Sequence, residues 1–318
     1  MRERRALLTI LGILLIILAV LIYLYLTLVR PVQLSQRAEI TPGMKHIFTI
    51  YGYGSKPEEH FNRPHGVAVD KKGNFYVTDT NNHRILVFDS RGRFLRKIGK
   101  AGAGEGEIRY PLGLAIAPNG DIYVASRMLS KIVVYNQEGK FSREIKEANP
   151  LAPFVSNREL YVVTAGQLVF FDLEGNLIKR WGRQGSFVGE YDFPGGIFVD
   201  IKGNIYISDS NNGRLQAFDK KGSLLWVTKS KSLFGLPEAI VGDNKGRLFV
   251  VDAFDMKIKV FRVQDAQKII ELGDSGQDDG QFYYPSGLAY AGNGIFYIAD
   301  KFNHRVQKVR ITPPRLRK

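Results

Sequence analysis

The chain has 318 residues, 44% of them apolar, with a formal charge of +14 and no cysteine. That length suffices for one large domain or two ordinary ones, and the lack of cysteine excludes disulfides, thiolate zinc sites and an acylated lipoprotein cysteine. Residues 1–30 carry a net +3 and residues 310–318 a net +4, so half of the basic excess lies in the two tails.

From Ala6 to Val29 run 24 residues with no charge and no proline. A helix rising about 1.5 Å per residue crosses a hydrocarbon core of roughly 30 Å with ~20 residues, so a single transmembrane helix is expected here. A cleaved signal peptide has a shorter apolar core, about 7–15 residues, ending in a small-x-small site. Here the stretch ends Tyr23-Leu-Tyr-Leu-Thr-Leu-Val29, which favours an uncleaved signal anchor over 6–29. Arg2, Arg4 and Arg5 make residues 1–5 the expected cytoplasmic flank, which places the remainder outside the cytoplasm. Residues 30–44, with Pro31 and Pro42, read as a stalk.

After the stalk the chain repeats itself. A glycine precedes a proline by twelve residues four times: Gly52 to Pro64, Gly99 to Pro111, Gly182 to Pro194 and Gly273 to Pro285. Three of these prolines introduce nearly the same text, Gly66-Val-Ala-Val-Asp70, Gly196-Ile-Phe-Val-Asp200 and Gly287-Leu-Ala-Tyr290. Each unit reads as four short strands, in the first repeat Gly66–Asp70, Asn74–Thr78, Arg84–Phe88 and Phe94–Ile98. Lys72-Gly73 and Arg91-Gly92 mark the tight turns, where glycine takes a positive φ at low cost.

Pro64, Pro111, Pro153, Pro194, Pro237 and Pro285 give six units of about 45 residues, the size of a four-stranded propeller blade. The sixth unit stops after Arg305–Val309 without an outer strand. His46–Tyr51 aligns with the outer strands of other units, so it is expected to close the ring and leave no open edge. The expected architecture is therefore all-β: a six-bladed propeller over 45–311, followed by a basic tail at 312–318.

The repeats resemble the NHL family, named for the Asn-His-Leu variant of one turn. That turn is present as Asn82-His83-Arg84, Asn212-Gly213-Arg214 and Asn303-His304-Arg305, each three residues after Asp79, Asp209 or Asp300. Unit 5 keeps Asp252 but carries Met256-Lys257 at the turn, and unit 3 has lost most of the pattern. The resemblance covers 45–310 and implies a scaffold shared by RNA binders, protein-interaction modules, an amidating lyase and membrane-anchored sensor domains. It leaves function open.

Recurrence separates scaffold from candidate site. His83 and His304 recur at one place per unit and read as structural, packing between strands or bonding to Asp79 or Asp300. The four aspartates read as turn staples rather than calcium ligands, which need several oxygens converging on one point. Positions that vary next to the channel are the candidates for binding. After the prolines these are His65, Leu112, Phe154, Gly195, Glu238 and Ser286; before them stand Arg63, Tyr110, Ala152, Phe193, Leu236 and Tyr284. The proposed ligand-binding set is Arg63, His65, Tyr110, Phe154, Phe193, Glu238, Tyr284 and Ser286. No catalytic constellation, metal site or cofactor is assigned. Units 3 and 5 lack the glycine pattern before their prolines, which predicts a lower rim there.

These features favour a membrane-anchored, extracytoplasmic binding module for a peptide, protein or envelope glycan, with the bilayer as partner of residues 6–29. A propeller enzyme, a lyase or metal-dependent hydrolase working at the channel mouth, is the alternative. Nucleic-acid binding ranks last, because an outward-facing domain rarely meets RNA and the basic tails suit anionic lipid.

Overall fold

The computed structural model describes residues 39–41, 43–228 and 233–314, together with Leu18. The flank at 1–5, the anchor at 6–29, most of the stalk and residues 315–318 therefore lie outside the described residues, apart from Leu18. Among the described residues no helix is long and apolar enough to cross a membrane.

Six antiparallel sheets succeed one another along the chain. In blade 1 the inner strand is Pro64–Val69, followed outward by Phe75–Asp79, Arg84–Phe88 and Phe94–Ile98. Alternation gives these strands two buried faces in the middle of the blade and a wetter outer edge. The second and third strands are buried throughout, whereas Phe94 and Leu95 on the outer strand are exposed. The core lies between blades rather than within one. Phe75 and Leu86 of blade 1 pack with Tyr297, Ala299 and Val306 of blade 6, and Phe75 stacks on Tyr297 at 4.2 Å.

The ring closes as the unpaired last unit requires. Met44–Ile50 pairs antiparallel with Arg305–Ile311, with Met44 opposite Ile311 and Ile50 opposite Val306. Pairing begins earlier than the sequence suggested, since Glu39–Thr41 folds back on Met44 and Lys45 as a fifth strand of blade 6. Part of the segment read as stalk is thus ladder. His46, for which the sequence named no partner, is buried, with Nε2 2.8 Å from Thr49 Oγ1 and 3.4 Å from Asp279.

Blade 3 corrects the repeat spacing. Its inner strand is Pro150–Val155, and Pro150 sits opposite Thr164 as Pro64 sits opposite Asp79. Pro150, not Pro153, is therefore the equivalent of the other opening prolines. A second column supports the shift. Two residues after each opening proline stand Gly66, Gly113, Ala152, Gly196, Ala239 and Gly287. Here neighbouring inner strands approach closely: a Cβ on Gly287 would lie 2.1 Å from the His65 carbonyl oxygen, and one on Gly66 would lie 2.5 Å from that of Leu112. Only the smallest residues fit around the axis, and Pro153 would have put Val155 in this column.

Each inner strand runs from the upper face, where the inter-blade loops and the Asn-x-Arg turns lie, to the lower face, which carries the turn between the first and second strands of every blade and, in blades 1 to 5, that between the third and fourth. Met44 and Ile311 are at the lower end of blade 6, and traced back from Met44 the chain turns up the blade again as Glu39–Thr41.

Candidate functional site at the channel mouth

The upper rim is held by one device repeated in blades 1, 4 and 6. In blade 6 the buried Asp300 accepts hydrogen bonds from the Tyr283 backbone N–H (2.7 Å), Asn303 (2.9 Å), Arg305 Nε (2.7 Å) and Gln307 (3.1 Å). Asp79 and Asp209 are bonded in the same way by Asn82 and Arg84, and by Asn212 and Arg214. Arg305, 1% exposed, also donates to the carbonyls of Gln277, Asp278 and Gln281, which ties the incoming loop to the turn. Burial raises the carboxyl groups of Asp79, Asp209 and Asp300, and their hydrogen bonds and arginines oppose it. Blade 5 solves the same problem differently. Asp252 is paired by Lys259 at 2.9 Å, two residues further along the strand and hence on the same face.

His83 and His304 do something the sequence reading had not foreseen. Their partners are not Asp79 and Asp300. His83 Nδ1 accepts the N–H of Tyr110 at 3.0 Å, and His304 Nδ1 accepts that of Arg63 at 3.3 Å. Each turn therefore grips the residue that precedes the next blade's proline. Those residues need gripping, since Arg63, Tyr110, Phe193 and Tyr284 have φ of 53°, 52°, 46° and 54°, a region that side chains with a Cβ rarely occupy. Tyr110 and Phe193 pack against the core between blades, while Arg63 and Tyr284 lie against Phe302.

Around the mouth the structure brings Arg63, His65, Glu238 and Tyr284 together with Lys301, which the sequence reading overlooked. Burial pushes the Glu238 carboxyl up to about 6, against the pull of Lys301 and with a contribution from Asp252. Burial drives His65 down to about 3, helped by Lys301 and Arg127. Lys301 is itself lowered by burial, which Glu238 opposes. Gly195 leaves room for the carboxylate: a Cβ there would stand 2.7 Å from Glu238 Oε2.

Aromatic rings extend this charged centre outward across blades 5 and 6. Tyr284 stacks on Phe302 at 4.7 Å, Phe254 meets Tyr284 edge-on at 5.7 Å, and Tyr283 meets Phe302 at 5.6 Å. Arg63 lies over Phe302 and Lys301 over Tyr284, both at 5.2 Å; Arg127 lies over Phe193 at 5.6 Å. Phe254 and Tyr283 remain exposed. An apolar patch rimmed by cations suits a partner that buries side chains against the rings and offers acceptors to the guanidinium and ammonium groups.

Two candidates sit elsewhere. Phe154, placed at the mouth through Pro153, belongs lower in the channel, where it meets Phe198 edge-on at 6.0 Å in a largely apolar bore of about 360 Å³. Ser286 is buried and turned to the backbone, within 3.4 Å of the Pro64 carbonyl and 3.2 Å of that of His65. Beside blade 3 the upper face holds a cleft of about 600 Å³, lined in part by Glu147, Asn149, Gly166 and Gln167. Its Glu147 is buried and held by Arg180 through two contacts of 2.9 and 2.7 Å.

The overlooked residues had a signal. The position after each turn aspartate or its counterpart reads Thr80, Arg127, Ala165, Ser210, Ala253 and Lys301, and the next reads Asn81, Met128, Gly166, Asn211, Phe254 and Phe302. Both columns vary as binding positions do, yet they lie inside a turn that had been read as scaffold. Among the described residues no group of three or more His, Cys, Asp or Glu stands together in a way that could hold a metal.

Comparison with known proteins agrees with the architecture. Residues 58–156 match a family model described as a 6-bladed beta-propeller, and residues 282–309 match the NHL repeat. The protein brain tumor of Drosophila melanogaster is 30% identical over 174 residues, 53% of this chain and 12% of that one. Human NHL repeat-containing protein 3 is 24% identical over 142 residues, 42% of this chain and 40% of that one. The chain thus spans less than half the length of these curated relatives. Among solved structures, virginiamycin B lyase from Staphylococcus aureus aligns over 85% of this chain and all of its own at 12% identity, TM-score 0.61. A chain of a nidogen/laminin complex aligns over 74% of this chain and 84% of its own at 15% identity, TM-score 0.58. At these identities the likeness concerns the fold alone.

Proposed function

We propose, for a six-bladed β-propeller that carries NHL repeats, that the upper face is a protein-interaction surface and that the channel mouth is where a peptide segment of the partner docks. The observation that carries this reading is the aromatic shelf of Phe254, Tyr284 and Phe302 beside Glu238, Lys301 and Arg63. Large rings lose little conformational freedom when covered and bury much area, which is why such residues dominate binding hot spots. The uncharged stretch 6–29 supports a membrane anchor with the propeller outside the cytoplasm.

The test is capture. Replacing Tyr110, Glu238 and Tyr284 together by alanine is expected to weaken retention of a partner isolated on the intact chain by at least about 100-fold, since hot-spot truncations cost roughly 2 kcal/mol or more each. Melting should move little by comparison. Unchanged capture by a folded triple variant would remove the mouth as the docking site.

A second reading draws on Glu238, whose carboxyl at about 6 is suited to hand over or accept a proton near neutrality. Under that reading the mouth belongs to a propeller enzyme. A stoichiometric, tightly bound ion in the purified protein, or turnover abolished by Glu238→Gln, would favour it over simple binding.

A further inference from the structure

The lower face carries a feature that the binding reading does not use. On adjacent blades 3 and 4 five large apolar side chains face solvent: Leu177 (53% exposed), Ile178 (48%), Ile201 (83%), Leu224 (45%) and Leu225 (47%). Ile201 is at the tip of the inner hairpin turn of blade 4. Leu177 and Leu224 begin the outer strands Leu177–Trp181 and Leu224–Val227, just past the outer hairpin turns. The two turns of blade 4 lie side by side, because a Cβ on Gly203 would stand 3.3 Å from Lys220 Cβ. The Gly222 turn of blade 4 packs on the ring of Trp181, at the far end of the blade 3 outer strand from Leu177.

Lysines fringe this patch. Lys202 shares the turn tip with Ile201, and Lys220 and Lys221 form the tip beside it, all exposed. The carboxylates of the blade 4 turns are occupied. Asp200 accepts the N–H groups of Lys202 and Asn204 and the Tyr206 hydroxyl, and Asp219 accepts the N–H groups of Lys221 and Ser223. The cationic heads therefore project while the acids are turned into their own loops.

In a ring of six, blades 3 and 4 are diametrically opposite blades 6 and 1. Met44 and Ile311 lie at the lower end of blade 6, where Glu39–Thr41 folds back on Met44 and Lys45. We propose that the lysine-fringed apolar patch of blades 3 and 4 seats the propeller on a bilayer surface bearing anionic headgroups. This rests on the anchor reading above. Anionic lipid is the occupant the charges fit: short apolar side chains reach the headgroup and acyl boundary while lysines pair with the lipid phosphates and carboxylates.

The absence of native cysteine makes the test direct. The full chain is placed in vesicles of phosphatidylcholine alone or with added phosphatidylserine, carrying an environment-sensitive dye at Ile201→Cys or, on the upper face, at Met128→Cys. The expected result is a blue shift and quenching by lipid-borne quencher at position 201 only, and only with phosphatidylserine. Lys202→Glu, Lys220→Glu and Lys221→Glu combined should lower the docked fraction by at least about tenfold. They should leave capture at the upper face unchanged. A dye at 201 that stays aqueous on anionic vesicles overturns the proposal, as does a shift that depends on protein concentration in detergent, which would mark a second copy as the occupant. Flotation on phosphatidylcholine alone reads the anchor separately. A chain that fails to float there refutes the anchor, while the dye on anionic vesicles still decides the seating.

Discussion

At the scale of single residues, the buried aspartate of the upper turn in blades 1, 4, 5 and 6 is where most is at stake. Asp300→Ala would leave Arg305, 1% exposed, with its carbonyl partners but no counter-charge, and would strip the Tyr283 N–H of its acceptor. Breaking a buried pair from one side costs about 3–5 kcal/mol, and a urea midpoint measured against the wild type reads it directly. Acid titration isolates His65. Its folded value of about 3 is below the ordinary 6.5, so as pH falls through that window the unfolded chain takes the proton first and the fold loses stability. Glu238 works the other way between about 6 and 4.5, where the folded state binds the proton first, and partly offsets the loss. His65→Gln should therefore flatten the fall in stability across the window from pH ~6.5 to ~3, by up to about 1.4 kcal/mol per pH unit. A variant whose acid limb parallels the wild type would refute the assignment.

At the scale of elements, Met44–Ile50 buries Met44, Phe48 and Ile50 against two blades and completes the ladder to Arg305–Ile311. Deleting His46 through Tyr51 exposes that edge and removes Phe48 and Ile50. The expected outcome is a melting temperature lower by well over 10 °C, or association through the bare strand, seen by scanning calorimetry and light scattering. Repetition explains why this much was legible: five copies of an outer strand make the missing sixth conspicuous. Blade 3 was misaligned because its text had drifted and two prolines, Pro150 and Pro153, compete as its opening. Only the ladder opposite Thr164 settles the choice. Lys301 and Arg127 were missed for a related reason, since which turn positions face the channel depends on blade packing that local spacing does not encode.

At the scale of the molecule, the closing ladder joins residues made first in the ring to those made last. A ribosome completes Met44–Ile50 some 250 residues before its partner Arg305–Ile311 exists, and domain-sized chains emerge at about 5–20 residues per second. For that interval the early strand has no native neighbour on one side, and the five preceding blades form an open arc with an apolar flank. Fusing the ring's two ends into one hairpin by circular permutation, with a new start between blades, would let that pair form as soon as it is made. The native order instead leaves the nascent chain dependent on whatever shields an unfinished sheet until its last strand is made.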